Sequence, residues 1–167
     1  MKKSALLTAA LLLVSSSYAM AAPINQMANH ETAIGVGTKE SYIEHKVTNK
    51  ATAGFQYADR DEKGDHKDAY LQYDIIGFAS LSEFGGYRWN LPNDKDNAFA
   101  GVAVSTPKVL GFDAYASYVA GKDFNETQVG VNKNLLLNVD LNVNYHNFKP
   151  DEGSRENGVG VGVSVKF

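Results

Sequence analysis

Polar side chains recur at every second position in several stretches of this chain. Residues 137–147, LNVDLNVNYHN, place only polar groups at their even positions: Asn138, Asp140, Asn142, Asn144 and His146. Grouped carboxylates and amides can attract cations, form an ordered hydrogen-bond network or orient a catalytic histidine. Which chemistry applies depends on the element that brings these side chains together.

The same alternation, continued through other segments, predicts a larger set of residues on one enclosed polar face. Its members are Asp68, Tyr70, Gln72, Asp74, Glu83, Arg88, Asp113, Tyr115, Asn138, Asp140, Asn142, Asn144 and His146. Glu83 belongs to this set only if Gly85 and Gly86 form a β-bulge, which shifts the register and moves Phe84 to the opposite face. We expect the bulge because an acidic side chain facing lipid costs free energy. Glu83 and Arg88 then provide opposite charges in one interior.

These residues admit three interpretations. In the first, they satisfy one another as a hydrogen-bonded plug, as buried polar groups must. In the second, they line a narrow, mildly acidic pore whose selectivity depends on Asp74, Asp113 and Asp140. In the third, His146 acts in catalysis at one rim, but no serine precedes it in a recognisable motif. A lone histidine on a polar face is more often a hydrogen-bonding residue, so no catalytic residue is predicted.

Residues 59–65, DRDEKGD, resemble part of a calcium-binding loop, with Asp59 and Asp61 two apart and Gly64 at a turn position. Lys63 stands where an oxygen ligand belongs, and no bidentate Glu follows at the required distance. We therefore interpret this segment as a solvated loop. The sequence predicts neither a metal site nor a cofactor.

Alternation with period two extends over nearly the whole chain, and no convincing helical period is present. Ten strands are predicted, near residues 31–37, 41–48, 51–59, 67–77, 79–90, 97–106, 110–120, 126–133, 137–147 and 158–167. If the first two form one bent strand or a periplasmic lead, the number falls to eight. The last strand, GVGVGVSVKF, sets valines and Phe167 on one face against small or polar residues on the other.

Such alternation fits a soluble barrel or sandwich with its apolar face inward, or a membrane barrel with its apolar face outward. The polar faces carry mainly short side chains and Tyr rather than the Lys and Glu that solvate exposed strands. The connections are predicted to alternate between long charged loops at one end and short turns at the other. These patterns predict an all-β fold, an antiparallel up-and-down transmembrane β-barrel with ten strands preferred.

Aromatic residues fall on the apolar face near the ends of the predicted strands. They predict membrane-interface girdles formed by Tyr57, Tyr87, Trp89, Tyr118 and Tyr145 at the outer end and by Phe112 and Phe167 at the inner end. This assignment requires that both termini lie on the periplasmic side of the membrane.

The N-terminus has the features of a secretory signal. Lys2 and Lys3 precede an apolar run at residues 5–14, and cleavage is expected after Ala21. The predicted division is a signal peptide, residues 1–21, and one outer-membrane barrel domain, residues 22–167. Without the two leading lysines, 14 Lys and Arg stand against 19 Asp and Glu, which argues against a nucleic-acid partner. The sequence contains no cysteine, so the exported domain holds together without disulfides.

Two segments, GGYRWNLP at residues 85–92 and GVGVSVKF at residues 160–167, resemble small outer-membrane barrels of the OmpA and OmpX type, and more specifically the YfaZ family. The resemblance implies an outer-membrane location in a Gram-negative-type bacterium and carries over no catalytic residue. The final Phe167 also resembles the signal that the outer-membrane assembly machinery recognises. The expected partners of this monomer are that machinery, membrane lipid and lipopolysaccharide.

The predicted role is non-enzymatic, either envelope structure or a narrow pore. Two alternatives come from other classes of protein. An outer-membrane enzyme needs a nucleophile, a base and an orienting group gathered at the outer rim. A soluble periplasmic β-barrel that binds an apolar ligand is the other alternative, and it would be extracted without detergent.

Overall fold

The computed structural model describes residues 24–38, 40–59, 65–77, 80–91 and 93–167. The predicted signal peptide and residues 60–64 of the calcium-like segment lie outside the described residues. Ten strands, β1 to β10, span Thr32–Gly37, Glu40–Lys46, Ala51–Ala58, His66–Gly77, Ser80–Leu91, Lys95–Ser105, Phe112–Gly121, Phe124–Leu136, Val139–Pro150 and Glu156–Lys166. Ten strands are therefore confirmed, and the alternative of eight is wrong. Among the described residues, no helix is long and apolar enough to cross a membrane.

Antiparallel pairing connects each strand to its neighbours and closes the sheet into a barrel. The closing pair is β1 with β10, which begins with Ala33 opposite Lys166. Thr32 and Phe167 exchange two backbone hydrogen bonds, of 2.8 and 2.9 Å, and extend this pairing to the last residue. The predicted up-and-down antiparallel barrel is confirmed, and its closure pairs the two strands that would otherwise be edges.

Alternation along the strands separates apolar from polar side chains. Large apolar residues such as Leu71 and Val143 point outward and are 65% and 44% exposed. Ionic and amide side chains point inward, and Arg88 and His146 are 1% and 0% exposed. This distribution is the reverse of that in a water-soluble barrel, whose apolar face is enclosed.

Glycines make room for aromatic rings inside the barrel. Three inward tyrosines lie directly across the sheet from glycines, namely Tyr42 from Gly35, Tyr70 from Gly54 and Tyr115 from Gly130. A Cβ atom on any of these glycines would lie 2.2 to 2.6 Å from a tyrosine ring atom. The rings therefore rest on neighbouring backbone, which fills the interior where a larger residue would clash.

The barrel has a terminal end, from which the chain enters β1, and an opposite far end. Far-end connections span residues 38–39, 59–65, 92–94, 122–123 and 151–155, and terminal-end connections span residues 47–50, 78–79, 106–111 and 137–138. The expected sorting into long loops and short turns is wrong, because strand pairing continues into segments predicted as loops. For example, Leu91 still pairs with Lys95, and Asn93 and Asp94 close that hairpin with φ of 67° and 55°.

Candidate functional site

An arginine in the far half of the interior joins three strands. Arg88 on β5 donates from Nε and Nη2 to the two carboxylate oxygens of Asp68 on β4, at 2.7 and 2.6 Å. Its Nη1 donates to Oε2 of Glu126 on β8 at 2.8 Å. The bidentate contact fixes the plane of the guanidinium group. This ion triad therefore ties β4 and β5 to β8 across the interior.

Phenylalanines close the far half of the barrel beside this ion triad. The phenylalanine cluster comprises Leu91, Phe99, Val119, Phe124 and Phe148, all of them buried. The guanidinium carbon of Arg88 lies 4.4 Å from the ring centroid of Phe124 and 5.7 Å from that of Phe99. Sequence reasoning overlooked these rings as interior residues, in part because Phe124 and Phe148 lie beyond the predicted ends of their strands. The result is an apolar layer over a buried cation.

The segment before β1 enters the interior from the terminal end. Ile24 is buried among inward side chains. The contacts that hold the segment are Asn132 Nδ2 to the Ile24 carbonyl at 3.1 Å, Asn25 Nδ2 to Glu44 Oε2 at 2.7 Å and Lys166 Nζ to the Gln26 carbonyl at 2.8 Å. Residues 24–27 thus form an N-terminal plug in the terminal half. No periodicity in the sequence signalled this insertion.

The three aspartates predicted as selectivity residues all have partners in the terminal half. Asp74 pairs with Lys46, Asp140 with Lys166 and Lys108, and Asp113 with Asn132 and Lys108. The Lys166 Nζ lies 2.7 Å from an Asp140 oxygen. Because lysines already contact these carboxylates, a passing cation would compete with a bound ammonium group. Their role in selectivity stays a prediction.

Two glutamates on β2 add buried carboxyl groups that sequence reasoning missed. Glu44 accepts a hydrogen bond from the Tyr70 hydroxyl at 2.7 Å. Glu40 is buried, and within the described chain its Oε2 has no hydrogen-bond partner. Among described residues, the buried carboxyl groups are Glu40, Glu44, Asp68, Asp113, Glu126 and Asp140, and the buried Lys and Arg are Lys46, Arg88 and Lys166. The interior is therefore acidic on balance, and alternation in ESYIEHK, residues 40–46, was the available signal.

Amide side chains link the remaining polar groups into a chain of hydrogen bonds. Asn132 donates to Asp113 at 2.8 Å, and Asn142 donates to Asn132 at 2.7 Å. Asn144 donates in turn to Asn142 at 2.6 Å, while Asn142 also contacts the Tyr115 hydroxyl at 3.1 Å. Such a chain satisfies buried amides and restrains their rotamers. It favours the hydrogen-bonded plug for this part of the interior.

Most of the predicted interior set does lie inside the barrel. The inward residues are Asp68, Tyr70, Gln72, Asp74, Arg88, Asp113, Tyr115, Asp140, Asn142, Asn144 and His146. Asp68 and Arg88 belong to the ion triad in the far half, and the three aspartates Asp74, Asp113 and Asp140 belong to the lysine and amide contacts in the terminal half. Whether any of them lines a conducting pore stays a prediction.

The prediction that Glu83 faces inward is wrong. Pairing of β5 with β4 and β6 is unbroken around Gly85 and Gly86, so no bulge forms there. Residues five apart on an unbroken strand point to opposite faces, and Glu83 is therefore outside while Arg88 is inside. Phe84, expected on the outer face, packs in the interior instead.

The prediction for Asn138 is also wrong. β9 begins at Val139, so Asn138 lies with Leu137 in the turn after β8, and both side chains are exposed. Leu137 has a φ of 32°, which marks the turn. The polar alternation continues into this turn, but the chain reverses direction there before β9 begins, so the Asn138 side chain is exposed and not enclosed.

All seven predicted girdle residues lie on the outer face: Tyr57, Tyr87, Trp89, Tyr118, Tyr145, Phe112 and Phe167. The ring centroids of Tyr87 and Trp89 are 5.0 Å apart near the far end. The Tyr57 hydroxyl donates a hydrogen bond to Asp65, the residue immediately before β4. Their contact with a membrane interface stays a prediction.

His146 does not lie at the rim. Its side chain is enclosed in the interior, at the register position opposite Gln128 on β8 and Gly158 on β10. A base in this position cannot contact a substrate at the outer rim without opening the barrel. In the described parts of the chain, no group of three or more His, Asp or Glu side chains could hold a metal ion.

Comparisons with known proteins give similar structures but no family. No family model and no curated protein match the chain. The chain is similar to the N-terminal β-barrel domain of Pseudomonas aeruginosa OprF, with 10% identity and a TM-score of 0.43 over 83% of this chain and 98% of that one. It is also similar to the NanC porin, with 10% identity and a TM-score of 0.48 over 82% and 99%. Both scores are below 0.5, so the fold assignment rests on the strand pairing described above.

Proposed function

We propose that this chain is an integral outer-membrane β-barrel with a non-enzymatic, structural role in the envelope. The observation that carries the proposal is the distribution of side chains, apolar outside and ionic inside. A closed barrel satisfies its backbone polar groups between strands, which lets it cross a bilayer. Strands β4 to β10 contain 10 to 13 residues each, and a membrane-crossing strand needs about 9 to 11.

In this proposal the terminal end faces the periplasm. Phe112 and Phe167 then form the inner girdle, and the outer girdle includes Tyr87 and Trp89. The signal peptide at residues 1–21 delivers the chain, and Phe167 presents it to the assembly machinery. Membership of the YfaZ family belongs to the same proposal and rests on the two segments quoted above. Lipopolysaccharide would contact the far-end connections.

Two closures support a structural role over a permanently open channel. The ion triad and the phenylalanine cluster fill the far half, and the N-terminal plug occupies the terminal half. Between them lies a chamber of about 40 Å³, lined by residues that include Ile24, Ser117 and Arg88. That volume holds about one water molecule, which leaves little room for a solute between the two closures.

A narrow cation pore is the second candidate, and two observations favour it. A cavity of about 550 Å³ opens at the terminal end beside the N-terminal plug. The interior also carries more buried carboxyl groups than buried lysine and arginine side chains. Conduction would require both closures to move, because they lie one after the other along the barrel.

The membrane location is tested by alkaline washing and flotation of cell membranes, with the folded state followed by heat-dependent gel mobility. We expect the protein to stay with the outer-membrane fraction and to change its mobility on boiling. Recovery in an aqueous periplasmic extract without detergent would contradict the proposal and favour the soluble barrel. The polar side chains of the interior already argue against binding of an apolar ligand there, which the soluble-barrel alternative requires.

The role is tested by conductance of the folded protein in a planar bilayer. A sealed structural barrel is expected to be silent. Discrete cation-selective steps from the unmodified protein would replace the structural role by the narrow pore. Hydrolysis of lipid or peptide that is lost in His146→Ala would instead establish the enzyme.

A further inference from the structure

A carboxylate stands on the outer, apolar face of the barrel. Glu83 is exposed and lies three residues after the start of β5, near the terminal end. Within the described part of the chain it has neither an ion pair nor a hydrogen bond. If the barrel spans a membrane, this charge faces lipid about 10 Å along the strand from its end. An unpaired charge there costs free energy, so a lipid-borne partner would stabilise it.

An apolar groove of about 730 Å³ runs over the outer face beside Glu83. Its floor is formed by Gly85 and Ala100, which pair directly across β5 and β6. A Cβ atom on Gly85 would meet only one nearby atom, a backbone oxygen at 3.6 Å, so this floor is open. Leu71, opposite Gly85 on β4, forms one wall. Most of its lining is apolar, as contact with a hydrocarbon chain requires.

Glu83 and Tyr73 line this groove, and Lys50 lies just outside it, next to the lining residue Ala51. Tyr73 on β4 lies directly opposite Glu83, a register that places their Cβ atoms about 5 Å apart. Lys50, in the connection before β3, places its Nζ 5.8 Å from the centroid of the Tyr73 ring. A carboxylate, a hydroxyl and an ammonium group therefore follow one another across neighbouring strands. Their order is complementary to a headgroup that carries both a cation and a phosphate.

We infer that this groove binds a phospholipid whose headgroup ends in a primary ammonium group. The inference rests on the proposed membrane location. The ammonium group donates hydrogen bonds to Glu83, and the phosphate accepts from Lys50 and the Tyr73 hydroxyl. An acyl chain then covers Gly85 and extends toward the middle of the barrel. An anionic headgroup would place no cation at Glu83, and a trimethylammonium group has no hydrogen to donate.

The test is native mass spectrometry of the folded, full-length barrel in detergent, with one lipid added at a time. We expect phosphatidylethanolamine to stay bound, and phosphatidylglycerol and phosphatidylcholine to bind roughly tenfold more weakly. Glu83→Gln should weaken phosphatidylethanolamine binding by a similar factor, and Gly85→Leu should fill the groove and prevent binding. The matched controls are Glu152→Gln in a far-end connection and Val161→Leu on the opposite outer wall, neither of which should change binding.

Four outcomes would overturn the inference. The first is equal retention of the three lipids, and the second is phosphatidylethanolamine retention that Glu83→Gln leaves unchanged. The third is tighter binding of phosphatidylglycerol, which would make Lys50 the centre of an anion site. The fourth is a lipid-free dimer that Gly85→Leu disrupts, since a second copy would then occupy the groove. Each is measured on a folded barrel, so it leaves the proposed membrane location to the flotation test.

Discussion

Arg88 neutralises the charge of two buried carboxylates, so removing it leaves both of them without a positive partner. Arg88→Met would leave Asp68 and Glu126 buried without their cation. We expect the free energy of unfolding to fall by roughly 3 to 5 kcal/mol, measured by urea titration of gel mobility and Trp89 fluorescence. Arg155→Met, at an exposed far-end position, is the control.

A triple variant distinguishes loss of the Arg88 charge from loss of its packing. Adding Asp68→Asn and Glu126→Gln to Arg88→Met removes the uncompensated charges and should recover most of the lost stability. If Arg88→Met alone changed stability by no more than the control, the ion triad would have no structural role. If the triple variant were as unstable as the single one, the loss would come from packing against Phe124.

Two glycines, Gly54 on β3 and Gly85 on β5, are expected to respond differently to substitution by alanine. Gly54→Ala would place a methyl group within 2.3 Å of the Tyr70 ring, so the ring must move and its contact with Glu44 must break. We expect a loss of about 1 to 3 kcal/mol in unfolding free energy. Gly85→Ala, on the open outer face, is the matched control and should be nearly neutral. Equal effects in urea titrations would show that the Tyr70 position is unimportant.

At the scale of elements, we expect the N-terminal plug to block access of water-soluble reagents to the interior from the terminal end. Ser117→Cys introduces the only thiol, because the chain has no cysteine, and Ser117 lines the central chamber. Ile24→Asp adds a charge to an acidic interior and removes apolar burial, so the plug should leave. We expect the thiol to react at least about tenfold faster with a small water-soluble reagent.

Asn29→Asp supplies the control for this experiment, because it adds the same charge to the same segment at an exposed position. Its thiol reactivity should match that of Ser117→Cys alone. Rapid labelling without any plug variant would mean that residues 24–27 do not close the terminal half. Conductance should stay low in Ile24→Asp, because the phenylalanine cluster still closes the far half.

Substitution of Phe167, the residue after β10, is expected to affect assembly in cells without affecting folding in detergent. Phe167 is exposed on the outer face, and its backbone pairs with Thr32. Phe167→Ala keeps the backbone hydrogen bonds, so we expect refolding in detergent to be unchanged while the amount in the outer membrane of cells falls several-fold. The matched control is Phe112→Ala, on the same face at the same end of the barrel. An unchanged amount of Phe167→Ala in the outer membrane would contradict recognition of Phe167 by the assembly machinery.

At the scale of the whole molecule, the effect of a new charge on the outer face shows whether lipid or water surrounds the barrel. Val143 points outward in the middle of β9 and is half-exposed. Val143→Arg should lower unfolding free energy by roughly 2 to 4 kcal/mol in lipid vesicles, whereas Asn157→Arg at the far end should not. An effect near zero at Val143 would indicate that water surrounds the barrel.

The number of strands and the direction of most side chains followed from the sequence, because period-two alternation reports on each strand separately. It placed Asp68, Arg88 and His146 on one face and Tyr87 and Trp89 on the other, as the structure has them. The strict alternation of GVGVGVSVKF was enough to predict the last strand, because every valine falls on the outer, apolar face and every glycine falls on the inner face.

Contacts between distant segments were decided by the tertiary structure. Alternation cannot show that Arg88 contacts Glu126, or that Ile24 lies inside the barrel, because both contacts join segments that are far apart in the chain. The free-energy argument for a bulge beside Glu83 also failed, since continuous pairing on both sides of β5 holds the register more strongly than one outward charge opposes it. What closes the interior is therefore a property of the assembled barrel, in which side chains from separate strands first come within reach of one another.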